Sequence, residues 1–290
     1  MPRRLYPDVN VVHLLRAAWT AEEFDALAQS ADCNLTLGFH VVYELARAFL
    51  YAEHIETAKE AFHFLSDIER LDFLPTIKVL LGAEFHLAVV GVPLVTTLGP
   101  DDQVLIRHEI LKLSLGHADN ARRFISAREA EISVGHPQVA QANMDVTNDF
   151  LARNPGLRPQ MRTFSVFRQE AMQTAPRLLR NLARQHEIGL PDYATDRVLA
   201  DPNRFPVLNT WLNAQWHLAF IASMHGTVPS ADRLDDYRHL VESVTCDALV
   251  TNDEGLQRRS HDIRFFRMTL AWHAFKPSFA RGKWPTAQTP

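Results

Sequence analysis

The sequence predicts an α/β fold: a parallel β-sheet flanked by helices, with a large, mostly α-helical middle region. Three observations predict it. Cys246 to Thr251 is a short apolar run bounded by polar residues, the pattern of a strand buried on both faces of a parallel sheet. Just before it, YRHLVESV puts Tyr237, Leu240 and Val241 on one face at helical spacing, with Val244 following. From about residue 53 to 225 the apolar period is that of helices. Asn252, Asp253 and Gly255 break the strand, which puts Asp253 at a strand's carboxyl end, where open α/β sheets bind ligands.

The elements follow in chain order. Residues 3–9 read as a short strand, with Pro7 awkward for a central position because it lacks a ladder donor. Val11 to Ala18 reads as the next helix, and Thr20 starts another as N-cap, with Glu23 three positions on. Asn34 to Leu37 is a brief strand and Phe39 to Tyr51 a helix with Val41, Leu45, Ala48 and Phe49 as its apolar stripe. Glu44 shares a different face with His40, Arg47 and Tyr51. Taken alone, Glu44 and Arg47 read as a weak solvent-facing pair. AEHIETAKEAFHFLSDIERL and DDQVLIRHEILKLSLGHADNARRFISAREAEI have helical faces, with Asp101 or Asp102 as cap of the second. RTFSVFRQEAMQTAPRLLRNLARQHE is helical but kinked or split at Pro176. FPVLNTWLNAQWHLAFIASMHG is a strongly apolar helix stopped by Gly226 and Pro229. IRFFRMTLAWHAFKPSF fits a last strand pair or a helix, and ARGKWPTAQTP a frayed tail.

Composition bounds the function. At 290 residues, with 47% hydrophobic and 22% charged side chains, the chain can bury a real core. A formal net charge of −4 provides no global attraction to nucleic acid and argues against a long electrostatic footprint, though not a local one. Arg153, Arg158, Arg162, Arg168, Arg177, Arg180 and Arg184 form one basic tract, which reads first as a solvated helix face and second as a phosphate track. Cys33 and Cys246 are too isolated for a disulfide framework or a zinc site. MPRRLYPDV lacks a following apolar region, and no eighteen-residue apolar window occurs. The expectation is therefore a cytoplasmic protein with no membrane association. His217, His225 and His239, among fourteen histidines, read as core or surface residues, and the tryptophans as core.

DDYRHL followed by ALVTND resembles the C-terminal half of the PIN domain, a family of metal-dependent nucleases. There an Asp near a helix start precedes an apolar strand ending in Thr-x-Asp, positions matched by Asp236, Thr251 and Asp253. RRLYPDVNVVHLLRAA is similar to the family's first strand, with Asp8 followed two residues later by Asn10, although Pro7 stands where the family has an aliphatic residue. LTLGFHVVYELARAFLYA is similar to its second motif, in which Glu44 is the helix acid. Asp8, Glu44, Asp236 and Asp253 keep the family order of Asp, Glu, Asp, Asp. The resemblance covers residues 1–52 and 228–275 and implies a discontinuous PIN-like core, with 53–227 as a helical insertion or lobe and 276–290 as a C-terminal tail.

The resemblance implies phosphodiester hydrolysis, in RNA rather than DNA, by two-metal-ion catalysis with Mg²⁺ or Mn²⁺. Two divalent cations about 3.5–4 Å apart supply a nucleophile at neutral pH and relieve charge on the leaving oxygen. Both ions prefer oxygen ligands and are held by a few carboxylates. Asp8 would be the central ligand, Asp236 and Asp253 would complete the set, and Glu44 would bind metal or orient the attacking water. Asn10 and Thr251 are expected to hydrogen-bond behind these ligands. Asp232, Asp235 and Asp247 stay open: Asp232 as an N-cap, Asp235 as an exchange partner for Asp236, Asp247 as a turn acid or a family variant. Small family members act as toxins neutralised by an antitoxin, so the resemblance also admits a protein partner and an oligomer. The alternative is a non-catalytic PIN-like module that binds RNA or protein. A third reading is a helical regulatory protein in which the four acids do not converge.

Overall fold

A computed structural model describes residues 2–94, 98–126, 145, 149, 152, 163–225, 231–265 and 267–285. Strands β1 (Arg3–Pro7), β2 (Cys33–Leu37), β3 (Leu71–Phe73), β4 (Ala248–Thr251) and β5 (Met268–Ala271) form one sheet in the order β3-β2-β1-β4-β5. Every neighbouring pair is parallel. Parallel neighbours require crossover connections, and the helices between the strands supply them. Helices α1 (Val9–Ala18) and α2 (Ala21–Ser30) join β1 to β2, and α3 (Phe39–Arg47) and α4 (Ile55–Asp67) join β2 to β3. The chain thus winds outward from β1 to β3, then returns to the other side of β1 as β4 and β5. The point where the order reverses lies between β1 and β4, the crevice where such sheets take their ligands.

Pro7 sits at the end of a central strand without breaking it. Pairing of β1 with β2 ends at Leu5–Leu35, so the donor that Pro7 lacks has no acceptor waiting on that side. On the other side the ladder continues, and the Asp8 N–H donates to the Val250 carbonyl at 3.0 Å. All four residues of β4 are fully buried, as its uninterrupted apolar run requires. The expected capping box of α2 is present: Thr20 Oγ1 accepts from the Glu23 N–H at 3.2 Å, and Glu23 Oε2 accepts from the Thr20 N–H at 2.8 Å.

Between β3 and β4 lie α5 (Ile77–Val90), α6 (Pro100–Ser114), α7 (Phe164–Ala171), α8 (Ala175–Gln185), α9 (Asp192–Ala200), α10 (Pro206–His225) and α11 (Ala231–Ser243). Helix α12 (Glu254–Asp262) joins β4 to β5, and α13 (Trp272–Phe279) closes the fold. Pro176 splits its segment as one of the two expected outcomes: a 3₁₀ turn, Met172–Thr174, separates α7 from α8, and Pro176 stands in the first turn of α8, where its missing N–H costs nothing.

Several expectations need correction. The strand Leu71–Phe73 falls inside the 53–227 stretch expected to be helical and forms one edge of the sheet. Three residues are too few to show a period, so only pairing with β2 reveals it. Gly99, not Asp101 or Asp102, is the N-cap of α6, and both acids lie in its first turn. Asp232 is the second residue of α11 rather than its N-cap. In the segment IRFFRMTLAWHAFKPSF, Met268–Ala271 makes one strand and Trp272–Phe279 one helix, with Phe275 and Phe279 fully buried. The tail beginning at 276 is therefore partly core. Trp284 packs against that core, with the Arg3 guanidinium 5.2 Å from its ring centre.

Candidate acidic site at the strand carboxyl ends

Asp8 leaves β1 at its carboxyl end and caps α1. Its Oδ1 accepts from the Val11 N–H at 2.7 Å, while Oδ2 accepts from the Thr251 hydroxyl and from the Asn252 N–H at 3.3 Å. Burial pushes the Asp8 carboxyl above its ordinary range, against the pull of these three donors and of His239. Asp253 leaves the adjacent strand and caps α12, its Oδ1 accepting from Gly255 N–H at 2.5 Å and Leu256 N–H at 3.0 Å. The Asp253 N–H donates to Thr251 Oγ1 at 2.9 Å. The Thr251 hydroxyl therefore bridges the two capping acids, receiving one hydrogen bond and passing one on.

Asp236 comes from α11 and pairs with the Arg259 guanidinium of α12. Burial raises its carboxyl to about 7; Arg259 opposes the rise, while Asp253 and Glu44 add to it. Asp236 thus senses two of the other three acids. Among the described residues, Asp236 Oδ1 and Asp253 Oδ2 accept no hydrogen bond, which leaves oxygen donors open to a ligand.

Glu44 sits on α3, with Oε1 3.4 Å from His40 Nε2 and Oε2 3.0 Å from His239 Nε2. Burial would raise its carboxyl, but His239 and His40 outweigh burial and hold it well below the usual range. His239, one turn beyond Asp236 on α11, is held from behind. Its Nδ1 lies 3.0 Å from the Tyr6 hydroxyl, which donates to Glu242 Oε2 at 2.9 Å. Burial lowers the His239 imidazole, yet Glu44, Glu242 and Asp8 together bring it up to about 9. Glu242 also accepts from the His40 N–H, at 3.2 Å from each oxygen. Gly38 makes this possible, because a Cβ there would fall 1.9 Å from Glu242 Oε2 and 2.8 Å from Tyr6 Cε2. Burial lowers the His40 imidazole to about 4.

The four acids are thereby linked: Asp8 to Asp253 through Thr251, Asp253 to Asp236 by charge, and Asp8, Asp236 and Glu44 to His239 by charge or hydrogen bond. Of the other expected residues, Asn10 and Asp247 lie elsewhere, whereas Asp235 borders His40 beside Glu44. Asn10 is exposed in the first turn of α1, and it is Thr251 with the Val11 and Asn252 amides that stands behind Asp8. Asp235 is buried on a different side of α11 from Asp236, paired with Arg238 at 2.6 Å and 3.6 Å from His40 Nε2. Asp247 precedes β4 and closes the opposite end of the sheet, where its Oδ2 accepts from the Arg4 N–H at 2.7 Å. Four strand residues, about 13 Å of extended chain, separate that end from Asp253. The expected Glu44–Arg47 surface pair is replaced by the two histidines, and the Arg47 guanidinium lies 5.9 Å from the Tyr43 ring centre.

Tyr6, Glu242 and Arg259 have no part in the site expected from the sequence, where His239 reads as a core or surface histidine and His40 only as a helix neighbour of Glu44. Two signals were present: His40 lies four residues before Glu44 and His239 three after Asp236, both same-face spacings. In the basic tract, Arg153, Arg158 and Arg162 lie outside the described residues, as does the side chain of His225. Arg168 donates to Asn213 and Arg180 pairs with Asp192, both at 2.6 Å, so these two cations tie α7 to α10 and α8 to α9. Both cysteines are free and buried. No helix among the described residues is long and apolar enough to cross a membrane. Chemically, the crevice offers carboxylate oxygens with open positions, beside internal cations that offset part of their charge. Comparison with protein-family models, curated proteins and solved structures returns no match to this chain.

Proposed function

We propose that the chain is a PIN-like, Mg²⁺- or Mn²⁺-dependent nuclease that hydrolyses phosphodiester bonds, with RNA as the substrate the resemblance favours. The observation that carries this reading is the Asp8–Thr251–Asp253 bridge across the carboxyl ends of β1 and β4, with Asp236 sensing Asp253 and Glu44. The donor set suits a hard cation, since Asp236 Oδ1 and Asp253 Oδ2 are open and every candidate ligand is an oxygen. Bound divalent ions would supply charge neutralisation and an activated water. The protein's own part is to hold the acids in place. Two helix N-termini and one threonine orient Asp8 and Asp253, and the ordered backing limits their rotation. Ion binding would favour the ionised carboxylates of Asp8, which burial disfavours, and of Asp236, which burial and the neighbouring acids disfavour. A protein partner such as an antitoxin, self-association and a cytoplasmic location remain parts of the same proposal.

The test is cleavage of labelled single-stranded RNA and DNA with Mg²⁺ or Mn²⁺, comparing wild type with Asp8→Asn and Asp253→Asn. Metal-dependent cleavage in wild type, lost in both variants, is the expected result. Equal cleavage by the variants would reject this site. One observation favours the alternative of a non-catalytic RNA- or protein-binding module: Arg259 and His239 already pair with Asp236 and Glu44. Binding of RNA without metal and without cleavage would select that reading.

A further inference from the structure

We propose that His40, Glu44 and His239 form a binding site for a borderline transition-metal ion such as Zn²⁺, distinct in chemistry from the oxygen-only crevice beside it. One ligand atom from each of the three lies within 4.8 Å of the others. His40 Nε2 and Glu44 Oε1 stand 3.4 Å apart, and His239 Nε2 and Glu44 Oε2 stand 3.0 Å apart. Two ligands on one tetrahedral zinc, with bonds of about 2.0–2.1 Å, are separated by about 3.3–3.4 Å. The first pair already has this separation, the second, made through the other Glu44 oxygen, needs a small opening, and the three ligand atoms as a set would close in from within 4.8 Å.

A second observation points independently to a ligand. His40 is fully buried, yet neither ring nitrogen makes a well-formed hydrogen bond among the described residues; the groups nearest Nε2 are two carboxylates, Glu44 at 3.4 Å and Asp235 at 3.6 Å. Leaving a buried polar group unsatisfied costs about 1–3 kcal/mol, and such groups call for a reason. A metal bond to Nε2 removes the deficit at that atom. His239 is prepared from the other side. The Tyr6 hydroxyl donates to Glu242, so its oxygen is free to receive the His239 Nδ1–H, and a metal would take the place of the proton that Nε2 now shares with Glu44. A carboxylate acting through a tyrosine to orient a ligating imidazole is the kind of support metal-bound histidines ordinarily have. Glu44 is 25% exposed at its side chain, which provides an entry path and an outward-facing position for water. Two imidazoles and one carboxylate suit Zn²⁺, Co²⁺ or Ni²⁺, whereas Mg²⁺ prefers oxygen. The proposal goes beyond phosphodiester cleavage and shares only Glu44 with it.

The experiment uses the full chain stripped of metal, titrated with Co²⁺ by visible absorption and with Zn²⁺ by calorimetry. One equivalent of Zn²⁺ should bind, and Co²⁺ should develop the visible bands of a nitrogen–oxygen site. His40→Gln and His239→Gln should weaken Zn²⁺ binding about 100-fold or more, since even supporting residues are worth about 10–100-fold. Should either variant fail to fold by far-ultraviolet circular dichroism, Glu44→Gln, at a partly exposed position, provides the same loss. Asp253→Asn should keep the cobalt bands, whatever it does to cleavage, which separates this site from the nuclease reading. Absence of stoichiometric Zn²⁺ binding, or wild-type affinity in a folded His40→Gln or Glu44→Gln protein, would overturn the proposal.

Discussion

At the scale of single residues, Thr251 does the most with the fewest atoms. Its hydroxyl receives the Asp253 N–H and donates to Asp8, so one side chain sets the relation between two capping acids on neighbouring strands. Thr251→Val keeps the shape but leaves a buried carboxylate short of a donor and an amide short of an acceptor. The expected loss is about 1–3 kcal/mol in urea unfolding. Stability equal to wild type would show that the bridge contributes nothing. The identity of this threonine was legible from its place in ALVTND, but its dual bond was not, because the partner atoms are 243 residues away at Asp8 and two residues on at Asp253.

Among elements, α10 is capped by a side chain from another helix. Glu84 of α5 accepts from Val207 N–H at 2.9 Å and from Leu208 N–H at 2.8 Å. These amides satisfy two donors of the helix start and favour the ionised carboxylate. Burial opposes them and prevails, raising Glu84 from 4.5 to about 7. Between those values the folded chain holds a proton that the unfolded chain releases, so the Glu84 contribution to stability falls as pH rises through that window. Glu84→Gln is neutral throughout and should flatten this decline. Urea unfolding of both proteins at about pH 5 and about pH 8 checks it: parallel losses in the two would remove Glu84 as the cause.

For the whole molecule, the reversal of strand order between β1 and β4 collects acids from four separate elements into one crevice. A divalent ion that binds only the folded chain must stabilise it, by about 2.7 kcal/mol at a hundredfold excess over Kd. Added Mn²⁺ should therefore raise Tm by several degrees, EDTA should reverse the gain, and Asp253→Asn should reduce it. A Tm indifferent to Mn²⁺ would mean that Arg259 and His239 already do the neutralising, and the nuclease reading would fall.

Local features could be read along the chain because their causes lie within a few residues. The Thr20–Glu23 capping box, the buried run ending at Thr251 and the break at Pro176 each depend on neighbours in sequence. The same holds for the four acids as residue types in order. What surrounds them was decided by tertiary structure. Glu44 faces His239, 195 positions away, instead of Arg47, and Tyr6 meets Glu242 across 236 positions. The strand Leu71–Phe73 exists because β2 offers it an edge. Periodicity reports which face of an element is buried; only packing the elements together decides which charge each buried group must meet.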